Sequence, residues 1–235
     1  MKLKYKHQRF QADAAKSVTD IFIGQQYCDS ADFLIDQGIQ KNMYAVTGFG
    51  NQRLMLDKEV LTENLRQIQM GWGLKPVDYL QGDITNPMFT IEMETGTGKT
   101  YTYIKTMYEL NKRYGWNKFI IVVPSIAIRE GVQKSFETMQ EHFATEYGKR
   151  IQFFVYNSKQ LSKIDSFASD SGLHVMIINT QAFNSSMNED KNQEGRSGDA
   201  AARIIFSRRD EFGSRRPIDI LAQTNPIMII DEPQS

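Results

Sequence analysis

Met93-Glu94-Thr95-Gly96-Thr97-Gly98-Lys99-Thr100 is the stretch whose surroundings decide the fold. Before it, Met88-Phe89-Thr90-Ile91-Glu92-Met93 brings an aromatic and a β-branched residue into a short run that reads as a strand. After it, Tyr103, Ile104, Met107, Leu110 and Tyr114 recur at helical spacing, and Gly115 stands where a left-handed cap closes a helix. A strand, a glycine-rich turn and a helix direct backbone N–H groups at an anion, set the helix's positive end beneath it and add the Lys99 charge. Thr95, Gly96, Thr97, Gly98, Lys99 and Thr100 are therefore expected to bind phosphate. A surface turn that holds Gly-Lys-Thr by chance is the plain alternative, and the flanking strand and helix argue against it. Met93 occupies the first glycine position of the full phosphate-loop pattern, which tells against a kinase or small GTPase more than against ATP binding.

Further along, Lys118-Phe119-Ile120-Ile121-Val122-Val123-Pro124 is a continuous apolar run of the kind buried on both faces of a sheet. Ser125 follows as an N-cap, with Ile128, Val132, Phe136, Met139 and Phe143 marking the buried side of the next helix. Residues 151–156 and 173–178 supply two more strands. Strands alternating with helices predict a parallel sheet, with ligands at the C-terminal ends of its strands. The phosphate loop and the segments starting at Pro124 and Asn179 fall at such ends.

Toward the N-terminus, residues 9–24 read as a helix whose inner face carries Phe10, Ala14, Val18 and Ile21. Phe10 could stack on adenine, and the Gln11 amide has both a donor and an acceptor for the base edge. A core phenylalanine beside a solvated glutamine is the commoner arrangement. Residues 25–87 are broken by glycines, show one clear helical stripe at Leu61, Leu65 and Ile68, and receive no chemistry.

Residues 184–216 change character, being rich in Asn, Ser, Gly, Asp and Glu and carrying arginines at 196, 203, 208, 209, 215 and 216. They read as a mobile polar insertion; a basic arm for DNA phosphates is the alternative. Ile227-Met228-Ile229-Ile230-Asp231-Glu232 then ends a buried strand in two carboxylates. At the rim of a sheet, Asp231 suits water-mediated Mg²⁺ ligation and Glu232 suits handling the proton of an attacking water. An ordinary strand end followed by an acidic turn would look the same in isolation, but the phosphate loop in the same chain favours the catalytic reading.

Composition sets outer bounds. The 235 residues suit one main domain, and 28 basic against 28 acidic residues give no overall cationic field, so any nucleic-acid surface must be local. Cys28 is the single cysteine, which excludes an internal disulfide and suits a reducing compartment. No apolar run is long enough to span a bilayer, so a cytoplasmic protein with no membrane partner is expected.

Taken together, Thr95–Thr100 and Asp231-Glu232-Pro233-Gln234 resemble the Walker A and Walker B motifs of superfamily 2 helicase-like ATPases, in which a loop lacking the first glycine is familiar. Val122-Val123-Pro124-Ser125 looks like motif Ia, and Ile178-Asn179-Thr180-Gln181 like a later nucleic-acid-contacting segment. Within that superfamily, residues 93–100, the Asp-Glu-Pro-Gln box, Lys6-His7-Gln8-Arg9-Phe10-Gln11 and Thr224-Asn225-Pro226-Ile227 most closely resemble the restriction (Res) subunit of type III restriction-modification enzymes. The resemblance implies an α/β, RecA-like P-loop NTPase domain with a mostly parallel sheet flanked by helices. This domain would span residues 1–235, with 25–87 a family-specific elaboration. The cofactors implied are ATP and Mg²⁺, with Phe10 and Gln11 on the base, Thr100 and Asp231 on the metal, and Lys99 and Glu232 in catalysis. Pro124, Ser125, Thr180 and Gln181 would touch nucleic acid. The partners would be double-stranded DNA and a modification methyltransferase subunit, and the full-length enzyme an ATP-dependent site-specific deoxyribonuclease. Ending at Ser235, just past the Walker B strand, the chain reads as an N-terminal fragment without the second lobe or nuclease domain, weak or inactive in hydrolysis by itself. A helicase of another superfamily 2 branch and a non-catalytic nucleotide-binding module are the competing readings.

Overall fold

The computed structural model describes residues 5–29, 49–157, 159–180 and 216–232. Gln181, Pro233, Gln234, Ser235 and all of the polar stretch 184–216 except Arg216 lie outside the described residues. The chain divides into two compact units, Met1–Asp29 with Gln52–Trp116, and Ser30–Asn51 with Asn117–Ser235.

The first unit contains α1 (Arg9–Asp20), α2 (Lys58–Gly71), the short strands β1 (Gln81–Gly82) and β2 (Pro87–Met88), and α3 (Lys99–Tyr114). α1 packs along α3, and its buried positions are Gln11, Ala15 and Thr19. The stripe is thus rotated by one residue from the sequence expectation: Ala14 and Val18 are half-buried and Phe10 is 45% exposed. Ala15 and Thr19 are fully enclosed, and small side chains there let the helices approach closely. Tyr114 donates its hydroxyl proton to the Thr19 carbonyl at 2.8 Å, and Arg113 meets Asp20 at 2.5 Å, fixing the helices end to end. Ile21, Leu61 and Leu80 form the centre of a small core with Phe22, Leu65, Ile68 and Phe89 around it. The Leu61, Leu65 and Ile68 stripe is therefore the inner face of α2.

Residues 88–93, expected as a strand, are not one. Only Pro87–Met88 pair, antiparallel to Gln81–Gly82 in a hairpin, and residues 89–93 have no ladder partner among the described residues. A propensity for extended backbone becomes a strand only where a neighbour receives its hydrogen bonds.

The second unit holds β3 (Lys118–Val123), α4 (Ile126–Tyr147), β4 (Gln152–Val155), α5 (Ser162–Ser169), β5 (His174–Asn179), α6 (Pro217–Gln223) and β6 (Ile227–Ile230). Its sheet is parallel throughout, in the order β4-β5-β3-β6. Every residue of β3 and β5 is buried, as the unbroken apolar runs required. Phe153 and Phe154 show that helices cover both faces. Adjacent strand residues point to opposite sides; the Phe153 ring lies 5.0 Å from Phe136 of α4, and the Phe154 ring 6.1 Å from Phe167 of α5. On the α5 side, Ile120, Val122, Met176 and Ile178 pack with Ile164, Phe167, Ile220 and Leu221. Each such side chain contributes roughly 1.5–3 kcal/mol through burial.

At the N-terminal end of this sheet lies a polar cluster the sequence did not announce. The Lys118 amine is buried, donates to the Asp170 carbonyl and sits 5.4 Å from the centre of the Phe167 ring. Burial lowers its pKa to about 8, against the opposing pull of the Asp170 charge. His174 Nε2 lies 3.1 Å from Asp170 Oδ1, and burial and then the nearby Lys118 charge push the imidazole toward its neutral form. Among the described residues, no helix is long and apolar enough to cross a membrane.

Candidate nucleotide site and strand-end carboxylates

In the first unit, the phosphate-loop sequence folds as a tight turn feeding a helix. Thr97 donates both its N–H (3.3 Å) and its hydroxyl proton (2.6 Å) to the Glu94 carbonyl, which closes the turn. Gly96 and Gly98 take φ of +81° and +87°, a region costly for residues bearing a Cβ. α3 begins at Lys99 with Gly98 as its N-cap, and Thr102 N–H donates to the Gly98 carbonyl at 3.0 Å. Gly98 brings no capping oxygen and the first turn carries no acidic residue, so the positive end of α3 is not neutralised from within that turn. Thr95 and Gly96 are exposed, while Thr97, Gly98, Lys99 and Thr100 are half-buried. The helix ends at Tyr114 on a left-handed Gly115, φ +78°, as its spacing required.

Gln11 occupies a position that sequence reasoning missed. Its Nε2 donates to the Thr97 carbonyl at 2.8 Å, and a Cβ built on Gly98 would meet the same nitrogen at 2.5 Å. Gln11 is buried, not solvated, and its first attachment is to the loop backbone. The Tyr5 ring, 6.1 Å from Tyr101, also holds the residues before α1 close to the first turn of α3. Phe10 keeps an exposed ring, so the core alternative for it does not hold. The absence of a Cβ at 98 hints at a close neighbour, but nothing local identifies that neighbour as Gln11.

In the second unit, the C-terminal ends of β3, β5 and β6 gather the other expected residues. Val123 is paired with Asn179 and Val122 with Ile230, so the segments that follow emerge side by side. Thr180 N–H donates to the Val123 carbonyl at 2.9 Å, and its hydroxyl to the Pro124 carbonyl at 3.3 Å, joining the two segments expected to touch nucleic acid. Ser125 caps α4, its Oγ accepting from Ile128 N–H at 3.3 Å. Asp231 N–H donates to the Val122 carbonyl at 2.9 Å, so the carboxylate starts from the last rung of the ladder. Glu232 adopts φ +53° without being glycine, a conformation that costs on the order of 1–3 kcal/mol. The chain thus turns sharply between the carboxylates, leaving Asp231 half-buried and Glu232 exposed.

Thr100 in the first unit carries a hydroxyl and Asp231 in the second a carboxylate, each by itself a hard oxygen donor of the kind Mg²⁺ takes in preference to zinc or copper. Among the described residues, no group of three His, Cys, Asp or Glu gathers into a metal cage.

Comparison with known proteins agrees with these motifs. A family model described as the type III restriction enzyme, res subunit, matches residues 57–233. The EcoP15I Res subunit of Escherichia coli is 31% identical over 206 residues, covering 80% of this chain and 20% of that protein. The EcoPI Res subunit of Escherichia phage P1 is 30% identical over 195 residues, covering 78% and 19%. The StyLTI Res subunit of Salmonella typhimurium is 34% identical over 162 residues, covering 61% and 15%. The chain spans about a fifth of the length of the first two of these relatives.

Proposed function

The chain belongs to the family of type III restriction enzyme Res subunits, with their α/β, RecA-like P-loop helicase domain, and from that premise we propose that it is the ATP-binding motor lobe of a DNA-dependent ATPase in a type III restriction-modification system. The observation that carries this reading is the phosphate loop itself: a helix that starts on a left-handed Gly98, with Lys99 first and the loop backbone tied down by Gln11. Thr95, Gly96 and Gly98 present backbone N–H groups to the phosphates, Thr97 turns its own toward Glu94 and shapes the loop around them, and Lys99 neutralises their charge. Phe10 stacks on the base, while Gln11 uses the hydrogen-bonding capacity left after its bond to Thr97 to read the base edge.

Thr100 and Asp231 would hold Mg²⁺, which would draw charge from the phosphate oxygens. Glu232 orients the attacking water and takes its proton, and Lys99 stabilises charge that develops on the transferred phosphoryl group. Pro124, Ser125, Thr180 and Gln181 contact the backbone of double-stranded DNA. The whole enzyme works with a modification methyltransferase and cuts DNA as an ATP-dependent deoxyribonuclease in the cytoplasm. In this reading 25–87 is an elaboration particular to the family and 184–216 a polar insertion.

MgATP binding and ATP turnover, measured separately with and without double-stranded DNA, test the proposal. Saturable binding, with turnover that DNA stimulates in the complete subunit, is expected. Binding without turnover in that subunit would instead make ATP a structural ligand, and stimulation by RNA alone would point to another helicase branch.

A further inference from the structure

The strands of the second unit are not equally constrained in register. β3 and β5 are buried at all six positions, whereas β6, Ile227-Met228-Ile229-Ile230, is apolar at every position and alternates only between half-buried and exposed. A slip of one residue exchanges the two faces of a strand, and the contrast in burial between those faces is what resists it. In β6 that contrast is shallow, so a determinant outside the strand is needed.

Asn51 supplies one. It is 2% exposed, and its side chain grips the start of β3 three times: Oδ1 accepts from Asn117 N–H at 2.7 Å and Lys118 N–H at 2.9 Å, and Nδ2 donates to the Lys118 carbonyl at 2.8 Å. Its main chain grips the approach to β6. Asn51 N–H donates to the Thr224 carbonyl at 2.8 Å, and Asn225 Nδ2 donates to the Asn51 carbonyl at 3.3 Å. Asn225 itself turns the chain into β6 at φ +47°. Beside this clamp, Gly50 passes so close that a Cβ would meet the Thr224 carbonyl oxygen at 2.9 Å. One residue thus measures the start of β6 against the start of β3.

We propose that Asn51 is a positioning residue that sets the register of β6 against β3 and thereby places Asp231 and Glu232 at the far end of that strand. A one-residue slip would carry the carboxylates about 3.3 Å along the strand and reverse the side from which they project. The functional consequence rests on the roles proposed for Asp231 and Glu232; the register does not.

The test uses the chain with Cys28→Ser and single cysteines introduced by Met228→Cys or Ile229→Cys, read by thiol-labelling rate. With Asn51 present, the cysteine at 228 should label about threefold faster than that at 229, in keeping with the modest contrast between the faces, and Asn51→Ala should bring the two rates close to equality. Gly50→Ala presses on the Thr224 carbonyl with the Asn51 side chain intact; it should narrow the same ratio and serves if Asn51→Ala does not fold. An unchanged ratio in folded Asn51→Ala, or in folded Gly50→Ala where that variant must serve, overturns the proposal. In a parallel arm, Asn51→Ala should raise the Mg²⁺ concentration at half-maximal ATP binding, a midpoint that a mere loss of folded protein leaves in place. A collapsed labelling ratio with an unmoved midpoint upholds the register role and counts against Asp231 as a metal ligand.

Discussion

Gln11 Nε2 donates a 2.8 Å hydrogen bond to the Thr97 carbonyl, joining a helix near the N-terminus to a loop 86 residues later. The bond is made to backbone at the centre of the phosphate loop, so it acts on the loop's shape whatever base is bound. A net contribution of about 0.5–1.5 kcal/mol is ordinary for such a bond. Gln11→Ala should therefore weaken ATP and GTP binding alike by up to about tenfold, with a further loss for ATP where the amide reads the base edge. Titrations with both nucleotides check this, and unchanged GTP affinity would show that the loop does not depend on Gln11.

The two left-handed glycines of the loop should respond differently to alanine. A Cβ added at Gly96 would have nothing within 4 Å, so Gly96→Ala meets only backbone strain of roughly 1–2 kcal/mol. Gly98→Ala adds a collision at 2.5 Å with Gln11 Nε2, breaking the tie between helix and loop. Nucleotide affinity should fall further in Gly98→Ala than in Gly96→Ala, and combining Gly98→Ala with Gln11→Ala should cost less than the sum of the two. Strict additivity in that cycle would show that Gly98 and Gln11 act on the loop independently.

Much of the second unit was legible because its strands are buried on both faces. Lys118-Phe119-Ile120-Ile121-Val122-Val123 and the 173–178 run have no polar alternation to misread, and Ser125 and Gly115 mark helix ends by local chemistry. Where burial is one-sided, sequence marks the face less clearly. On α1 the tight contact with α3 selected Ala15 and Thr19 over the larger Val18 and Phe10, because a close helix crossing rewards small residues. Residues 89–93 have strand propensity, yet a ladder depends on a partner that propensity does not reveal. The helices α5 and α6, at 8 and 7 residues, are too short to show a periodic stripe in sequence. The local marks of the candidate site, the left-handed glycines and the strand-end carboxylates, were visible in sequence; the bonds of Gln11 and Asn51 were not, since they join distant segments.

Lys118 makes stability depend on pH in a calculable direction. Its pKa is about 8 in the folded chain against 10.5 for the ordinary amine, so between these values the unfolded chain holds a proton that the folded chain has released. Stability contributed by this group therefore rises with pH across that window, by on the order of 3 kcal/mol in all. Lys118→Met should remove that rise. Urea titrations of both proteins from pH 7.5 to 10.5 check it, and parallel slopes would place the amine in a solvated setting.

The roles proposed for Lys99 and Glu232 separate in binding: Lys99 holds nucleotide phosphate, whereas Glu232 acts only on the water. Equilibrium binding of MgATP to the chain and to its Lys99→Ala and Glu232→Gln variants tests this most directly. Lys99→Ala should weaken binding at least about tenfold, since a charge-assisted contact of about 1.5–3 kcal/mol is lost, whereas Glu232→Gln should bind as the parent does. Parent-like affinity in Lys99→Ala, or equal loss in both variants, would contradict it.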